Sequence, residues 1–179
     1  SSNTYFVALE DQVFGCDLSP IVNTALDLGV NSLNRLDANG QTRAQNIVAG
    51  TEYGYTLGME ITSAMELTSA YGAVANDGVY CPPVPILSVT DSAGNPVEFA
   101  KPACAKKLEP TVARTALSIL VGDTKPGESG TAVGAFGSYY REGGSPIGGK
   151  TGTNNLEGVD YTAALWFVGV TPHLVSATA

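Results

Sequence analysis

Basic side chains are scarce: nine Lys and Arg stand against seventeen Asp and Glu in 179 residues, a formal net charge of -8. Neutralising nucleic-acid phosphates needs clustered Lys and Arg, so nucleic acid is excluded as a partner. There is one histidine, His173, and no Cys or Asp cluster stands at ligand spacing, so no metal site and no cofactor are expected. No apolar run is long enough to span a bilayer, and no basic, apolar leader opens the chain. The ends, "SSNTYF" and "LVSATA", read as cut, which leaves room outside these residues for a membrane anchor or export signal. Cysteines number three. Cys81 and Cys104 bracket "PPVPILSVTDSAGNPVEFAKPA", which reads as two short strands around a Ser92-Ala93-Gly94-Asn95 turn. Spacing leaves two readings open, a disulfide across that hairpin or three buried thiols, and Cys16 has no obvious mate.

What is abundant is apolar: 44% of residues are hydrophobic and 15% charged, enough for one domain with a core. Phe6, Leu9 and Val13 recur at helical spacing, with Asn3 placed to cap a helix beginning near residue 3. Ser19-Pro20 supplies a cap and a first-turn proline for a second helix, striped by Ile21, Ala25 and Leu28 and stopped by Gly29. Residues 35–58, broken by four glycines, read as ordered loop or short strands. Ser63 and Glu66 form a capping box; Leu67, Ala70, Tyr71 and Val74 follow as one face, and Asn76-Asp77-Gly78 ends the helix. "TVARTALSILVG" gives a further helix through Val112, Ala116 and Ile119, and "DTKPGESGTAVGAFG" reads as a surface loop with room for a helical turn. "PIGGKTGT", "YTAALWFVGV" and "LVSATA" then look like three sequential strands of an antiparallel meander. Helices before a sheet make the class α+β, an antiparallel sheet flanked by helices, without repeat or linker.

The stretch "GSPIGGKTGTNN" admits two incompatible readings. Gly144 to Thr151 fits Gly-x-x-x-x-Gly-Lys-Thr, the phosphate loop of nucleotide hydrolases, which needs a buried strand before it and a helix after it. "GSYYREG" precedes and "GTNNLEGVD" follows, whose glycines and asparagines disfavour a first helical turn. The nucleotide reading is rejected. The other reading takes Lys150-Thr151-Gly152 as the third motif of serine acyl-transfer enzymes.

The second reading fits the rest of the chain. Ser1-Ser2-Asn3, the helix "TSAMELTSAYGAVANDGV", and "GGKTGTNN" followed by "ALWFVGVTPHLV" resemble, in the family's order, the transpeptidase domain of penicillin-binding proteins, the bifunctional class A members most closely. The resemblance runs from the first residue nearly to the last. It implies a serine β-lactamase-like fold and D,D-transpeptidase chemistry on peptidoglycan stem peptides, with β-lactams as acylating ligands. It also implies an extracytoplasmic place in the cell envelope, the parent protein being anchored to the plasma membrane outside these residues. In that oxidising compartment the hairpin should join Cys81 to Cys104. Acyl transfer from a peptide with a free carboxylate needs a cation and hydroxyls at the carboxylate, an oxyanion donor, and a proton relay to the leaving amine. By resemblance Lys150 supplies charge, the hydroxyls of Thr151 and Thr153 bind the carboxylate, and the Thr153 N–H is half of the oxyanion hole. Gly152 lets substrate approach, Ser1 passes a proton to the leaving group, and the Asn3 amide holds the substrate backbone. Each has a plainer rival: Asn3 as a helix cap, Ser1 as a frayed terminus, Lys150 as a solvated edge lysine. His173 reads as a turn residue, and Tyr139 and Tyr140 as packing against the sheet.

The family's nucleophile and base lie in Ser-x-x-Lys, and no serine here has a lysine three residues on. Residues 1–179 are therefore expected to be the C-terminal part of one transpeptidase domain, completed by an upstream segment or companion chain bearing that motif, with any glycosyltransferase domain also outside. Alone, such a piece should be inactive. The alternative is a non-catalytic envelope module that kept the cleft and lost the nucleophile. Two geometric expectations follow. Ser1, Asn3, Lys150 and Thr153 should line one cleft, and Leu165 and Phe167, or Trp166 and Val168 opposite them, should be partly uncovered.

Overall fold

The computed structural model describes residues 3–15, 17–155 and 162–179. Helix α1 spans Asn3–Phe14 and α2 spans Ser19–Asp27. A 3-10 turn at Asn31–Asn34 leads to α3, Arg43–Gly50, and a second at Tyr53–Leu57 leads to α4, Ala64–Ala75. Strands β1, Val79–Tyr80, and β2, Ala105–Lys106, form a small antiparallel pair. Helices α5, Pro110–Val121, and α6, Val133–Arg141, precede the main sheet of β3, Gly148–Asn155, β4, Thr162–Val170, and β5, Val175–Thr178.

That sheet is the expected meander, antiparallel in the order β3-β4-β5, with Lys150 opposite Val168 and Thr153 opposite Leu165. Helix α4 lies against β4 and β5, and α5 against α4 and β3. Buried Val168 and Val170 on β4, Ala70 and Ala73 on α4 and Ala113 on α5 belong to these packed elements. Small helical residues let helix backbones approach a sheet closely. A second core, Leu18, Val22, Leu33, Ala44 and Ile47, joins α2, the first 3-10 turn and α3.

The α4 capping box forms as expected: Ser63 Oγ accepts the Glu66 N–H at 3.2 Å while Glu66 Oε2 accepts the Ser63 N–H at 2.9 Å. Residues 35–58 are more regular than expected, because Thr42 and Gln45 make a second capping box that starts α3. Two orphan N–H groups are satisfied there by side chains, which offsets a weakly helical composition. The stretch expected to be loop after Asp123 ends in α6, whose Phe136 ring packs on Phe167 of β4 at 5.4 Å and whose Tyr140 hydroxyl accepts the Ile147 N–H at 3.0 Å. Tertiary contact thus overrides Gly134 and Gly137.

Three stripes are turned otherwise than their periodicity suggested. Val22 is the buried residue of α2, Ala113 faces inward on α5 while Val112 and Ile119 are exposed, and Phe6, Leu9 and Val13 of α1 are exposed. Ser19 does not cap α2; it lies in the first turn, and Asp17 Oδ1 accepts its N–H at 2.9 Å. Cys81 and Cys104 are bonded, as expected, with Cα atoms 4.2 Å apart. The intervening excursion carries one bridge, Thr90 to Pro96, rather than two strands; the ladder lies just outside the disulfide, in β1 and β2.

Candidate active site

The Lys-Thr-Gly motif lies wholly in β3, at one edge of the sheet. Gly144 to Thr151 runs from the end of a helix into a strand, the reverse of a phosphate loop's strand-to-helix order. Among the described residues β3 pairs on one side alone, with β4, and an edge strand of this kind offers backbone N–H and C=O groups to which an extended peptide can add.

Two glycines set how closely β3 is held. A Cβ on Gly149 would stand 2.8 Å from Thr124 Cγ2 and 2.9 Å from the Phe167 ring, so no side chain fits without displacement. A Cβ on Gly152 would stand 3.1 Å from Trp166 Cβ, so this glycine also lets β4 pack tightly beside the motif. Thr124, fully buried, hydrogen-bonds the Ile147 carbonyl and shares a bond with the Tyr140 hydroxyl, tying the segment before β3 to α5 and α6.

Strand alternation puts Lys150 and Gly152 on one face and Thr151 and Thr153 on the other. Lys150 is exposed, and its ammonium donates to the Thr151 carbonyl. Thr153 is exposed. Thr151 is half-buried, and its hydroxyl meets that of Thr131 from the loop between α5 and α6. Asp123 closes that loop: its Oδ1 accepts from the Thr131 N–H at 3.0 Å and the Thr131 hydroxyl at 2.9 Å, and its carbonyl accepts the Ala132 N–H at 3.0 Å. The sequence reading missed Asp123 and Thr131. Their only signal was the glycine-rich "PGESGT", which announces a loop without saying what the loop touches.

Ser1 lies outside the described residues; Asn3 begins α1, and its side chain lies outside them too. Of the four residues expected in one cleft, Lys150 and Thr153 are thus the two whose side chains are described, three positions apart on β3. Elsewhere, Arg43 pairs through its guanidinium with both Glu52 and Glu60, with two contacts at 2.9 Å. The Arg43 hydrogen bonds hold the Glu52 carboxyl below its ordinary value against a smaller effect of burial. A cleft of about 470 Å³ opens among Ser32, Arg35, Ile61, Thr62, Met65 and Glu66, and no β3 residue lines it. His173 is exposed in the turn between β4 and β5. Among the described residues no three His, Cys, Asp or Glu side chains could hold a metal, and no helix is long and apolar enough to cross a membrane.

An α+β fold with Lys-Thr-Gly on an exposed edge strand narrows the class, and comparison with known proteins places the chain within it. The family described as penicillin binding protein transpeptidase domain matches residues 1–176. Penicillin-binding protein 1A of Clostridium acetobutylicum is 31% identical over 73% of this chain and 14% of its own length. Its namesake in Clostridium tetani is 32% identical over 77% of this chain and 15% of its own length. The D,D-transpeptidase domain of a peptidoglycan glycosyltransferase from Eggerthella lenta superposes with a TM-score of 0.65 at 22% identity, covering 98% of this chain and 45% of that one. The chain belongs to the penicillin-binding protein transpeptidase family. It spans about one seventh of the length of the two curated relatives.

Proposed function

We propose that this chain supplies the strand-motif part of a D,D-transpeptidase site that crosslinks peptidoglycan stem peptides and is acylated by β-lactams. The observation that carries this reading is Lys150-Thr151-Gly152-Thr153 on an exposed edge strand, in a chain matched along nearly its whole length by the transpeptidase family. The substrate's extended backbone adds along the open edge of β3, with its terminal carboxylate near Lys150 and Thr153. Gly152 keeps the strand close to β4, Ser1 relays the proton, and Asn3 holds the substrate amide. In the reaction a serine oxygen bonds to the penultimate carbonyl carbon, the C–N bond to the terminal residue breaks, and the departing amine takes the proton through Ser1.

That serine and its base come from a Ser-x-x-Lys motif, which these 179 residues do not contain, so the nucleophile is contributed by another segment or a companion chain. Helix α1 supports the idea. It buries Glu10 and exposes Phe6, Leu9 and Val13, the arrangement of a helix whose apolar face meets a further element. The Cys81–Cys104 bond supports an extracytoplasmic, oxidising location.

The test is labelling of the assembly, this chain with the Ser-x-x-Lys polypeptide, by a fluorescent penicillin, followed by denaturing electrophoresis. Label on the polypeptide bearing Ser-x-x-Lys is expected. No label on any component would favour the non-catalytic envelope module.

A further inference from the structure

We infer that the cleft of about 470 Å³ between the first 3-10 turn and α4 is a second binding site, which takes the free carboxylate end of a short peptide with an apolar last residue and holds it at Arg35. The inference goes beyond the transpeptidase reading of β3 and does not rest on it.

A smaller cleft of about 270 Å³ adjoins this one and shares Ser32, Arg35 and Ile61 with it, so Arg35 stands between the two. The other charges around both clefts are answered within the chain. Glu66 accepts the Ser32 N–H at 2.6 Å, the Ser63 N–H at 2.9 Å and the Thr62 hydroxyl at 3.1 Å. Asp37 accepts the Asn39 and Gln41 N–H groups at 2.8 and 3.0 Å and the Asn46 side chain at 3.0 Å, and Arg43 donates to Glu60 at 2.9 Å. Arg35 makes no ion pair and no side-chain hydrogen bond among the described residues. In a chain of net charge -8, the unanswered charge on these walls is thus a cation. One cation near Asp37, Glu60 and Glu66 suits a single negative charge, because a phosphate dianion would be repelled by all three. The planar guanidinium also matches a carboxylate, which it can hold by two parallel bonds.

Apolar surface lies beside that cation. Ile61 and Met65 are 71% and 62% exposed, and Tyr80 and Pro83 line the same cleft. Hydroxyls interrupt this surface. Ser69 donates to the Met65 carbonyl at 2.9 Å and Thr62 donates to Glu66, which leaves lone pairs to accept peptide N–H groups. An acyl chain would cover those lone pairs without bonding them, so a peptide fits better. The Ser32 hydroxyl is buried without a hydrogen-bond partner. The free protein carries that cost, and a turn about χ1 toward an entering peptide group removes it. The walls are preformed: the Ser32–Glu66 bond ties the 3-10 turn to α4, and Tyr80 packs so closely on Gly29 that a Cβ there would stand 2.1 Å from its hydroxyl.

The experiment uses the assembly of this chain with the Ser-x-x-Lys polypeptide and fluorescence anisotropy. The probes are a dye-labelled Gly-Ala-Leu tripeptide with a free C-terminal carboxylate, the same peptide amidated, and aminohexanoate carrying the same dye. The acid should bind about tenfold more tightly than the amide, the effect of one charge-assisted contact. Arg35→Gln should weaken the acid about tenfold and erase that difference, and Arg35→Lys, which keeps the charge without the fork, should fall between. Ser32→Ala should weaken binding while leaving the thermal midpoint unchanged or higher, since its hydroxyl has no partner to lose. A merely structural role would lower the midpoint instead. Arg35→Gln and Ser32→Ala should both keep the wild-type rate of penicillin acylation. The bound peptide should survive saturation with unlabelled penicillin; its displacement would place it at β3 and overturn the inference. So would absence of binding, equal binding of acid and amide, no response to Arg35→Gln, aminohexanoate binding as tightly as the peptide, or inorganic phosphate displacing the peptide more readily than acetate. Failure of penicillin to acylate the assembly would count against the transpeptidase reading alone, because the Arg35→Gln comparison is read without it.

Discussion

Lys150 and Gly149 are neighbours on β3 with opposite kinds of importance. The Lys150 side chain is exposed and donates to a carbonyl of its own strand, so the fold depends on it little. Lys150→Ala should leave the thermal midpoint almost unmoved, a stability change within about 0.5 kcal/mol as for most exposed positions. Acylation by penicillin should fall by about 10² to 10³, the usual loss when one group placed at developing charge is removed. Gly149→Ala should do the reverse. Its Cβ would press on Thr124 and Phe167, and crowding of that kind costs about 1 to 3 kcal/mol, visible as a lower midpoint in a thermal melt. At this scale the Lys-Thr-Gly motif was legible because its chemistry is concentrated in consecutive residues. Asp123 and Thr131 were not, since they reach Thr151 from 28 and 20 positions away through a loop whose closure no local pattern announces.

Helices show where local signals suffice and where they do not. The existence of α4 and the strand meander followed from capping chemistry and alternation, both of which act within a few residues. Helix α6 was hidden by Gly134 and Gly137, because the contacts that stabilise it, Phe136 on Phe167 and Tyr140 on Ile147, lie outside the helix. The inward faces of α2 and α5 were misread for a related reason: periodicity gives a helix, while neighbours decide which side is covered. The α4 cap carries a pH signature of its own. Burial raises the Glu66 carboxyl, but the Ser63 and Ser32 N–H groups and the Thr62 and Ser63 hydroxyls favour its charged form more, so its folded value lies below the ordinary 4.5. A depressed carboxyl contributes stability above its unfolded value and loses that contribution as pH falls through its folded one. Wild type should therefore exceed Glu66→Gln in stability near neutrality, and the gap should narrow as pH drops below 4.5. Denaturant melts of both proteins across that range check this, and a constant gap would contradict the assignment.

For the whole molecule, the distribution of apolar surface matters more than any single contact. Helix α1 carries Tyr5 and Val13 at 62% and 59% exposure, while Glu10 on the same helix is 4% exposed and accepts from the Thr56 hydroxyl at 2.6 Å. On the sheet, Leu165 is 63% exposed and Phe167, on which the Phe136 ring of α6 packs, is half-buried, so both residues expected to be partly uncovered are so, to different degrees. Sequence periodicity had located these apolar residues without showing which would find cover, because cover depends on elements distant in the chain or outside it. The uncovered face of α1 argues for a further element packed there, and in the transpeptidase reading proposed above that element would bring the activated hydroxyl, which Lys150 and Ser1 cannot supply. The expectation is that this 18.4 kDa chain alone binds an apolar-sensing dye and takes no stable penicillin label. Adding the polypeptide with Ser-x-x-Lys should lower the dye signal and place the label on that polypeptide's band. Fluorescence titration and denaturing electrophoresis read the two outcomes separately. Stable label on the isolated chain would show that a nucleophile lies within these 179 residues after all, and an unchanged dye signal on mixing would show that α1 is not where the second element docks.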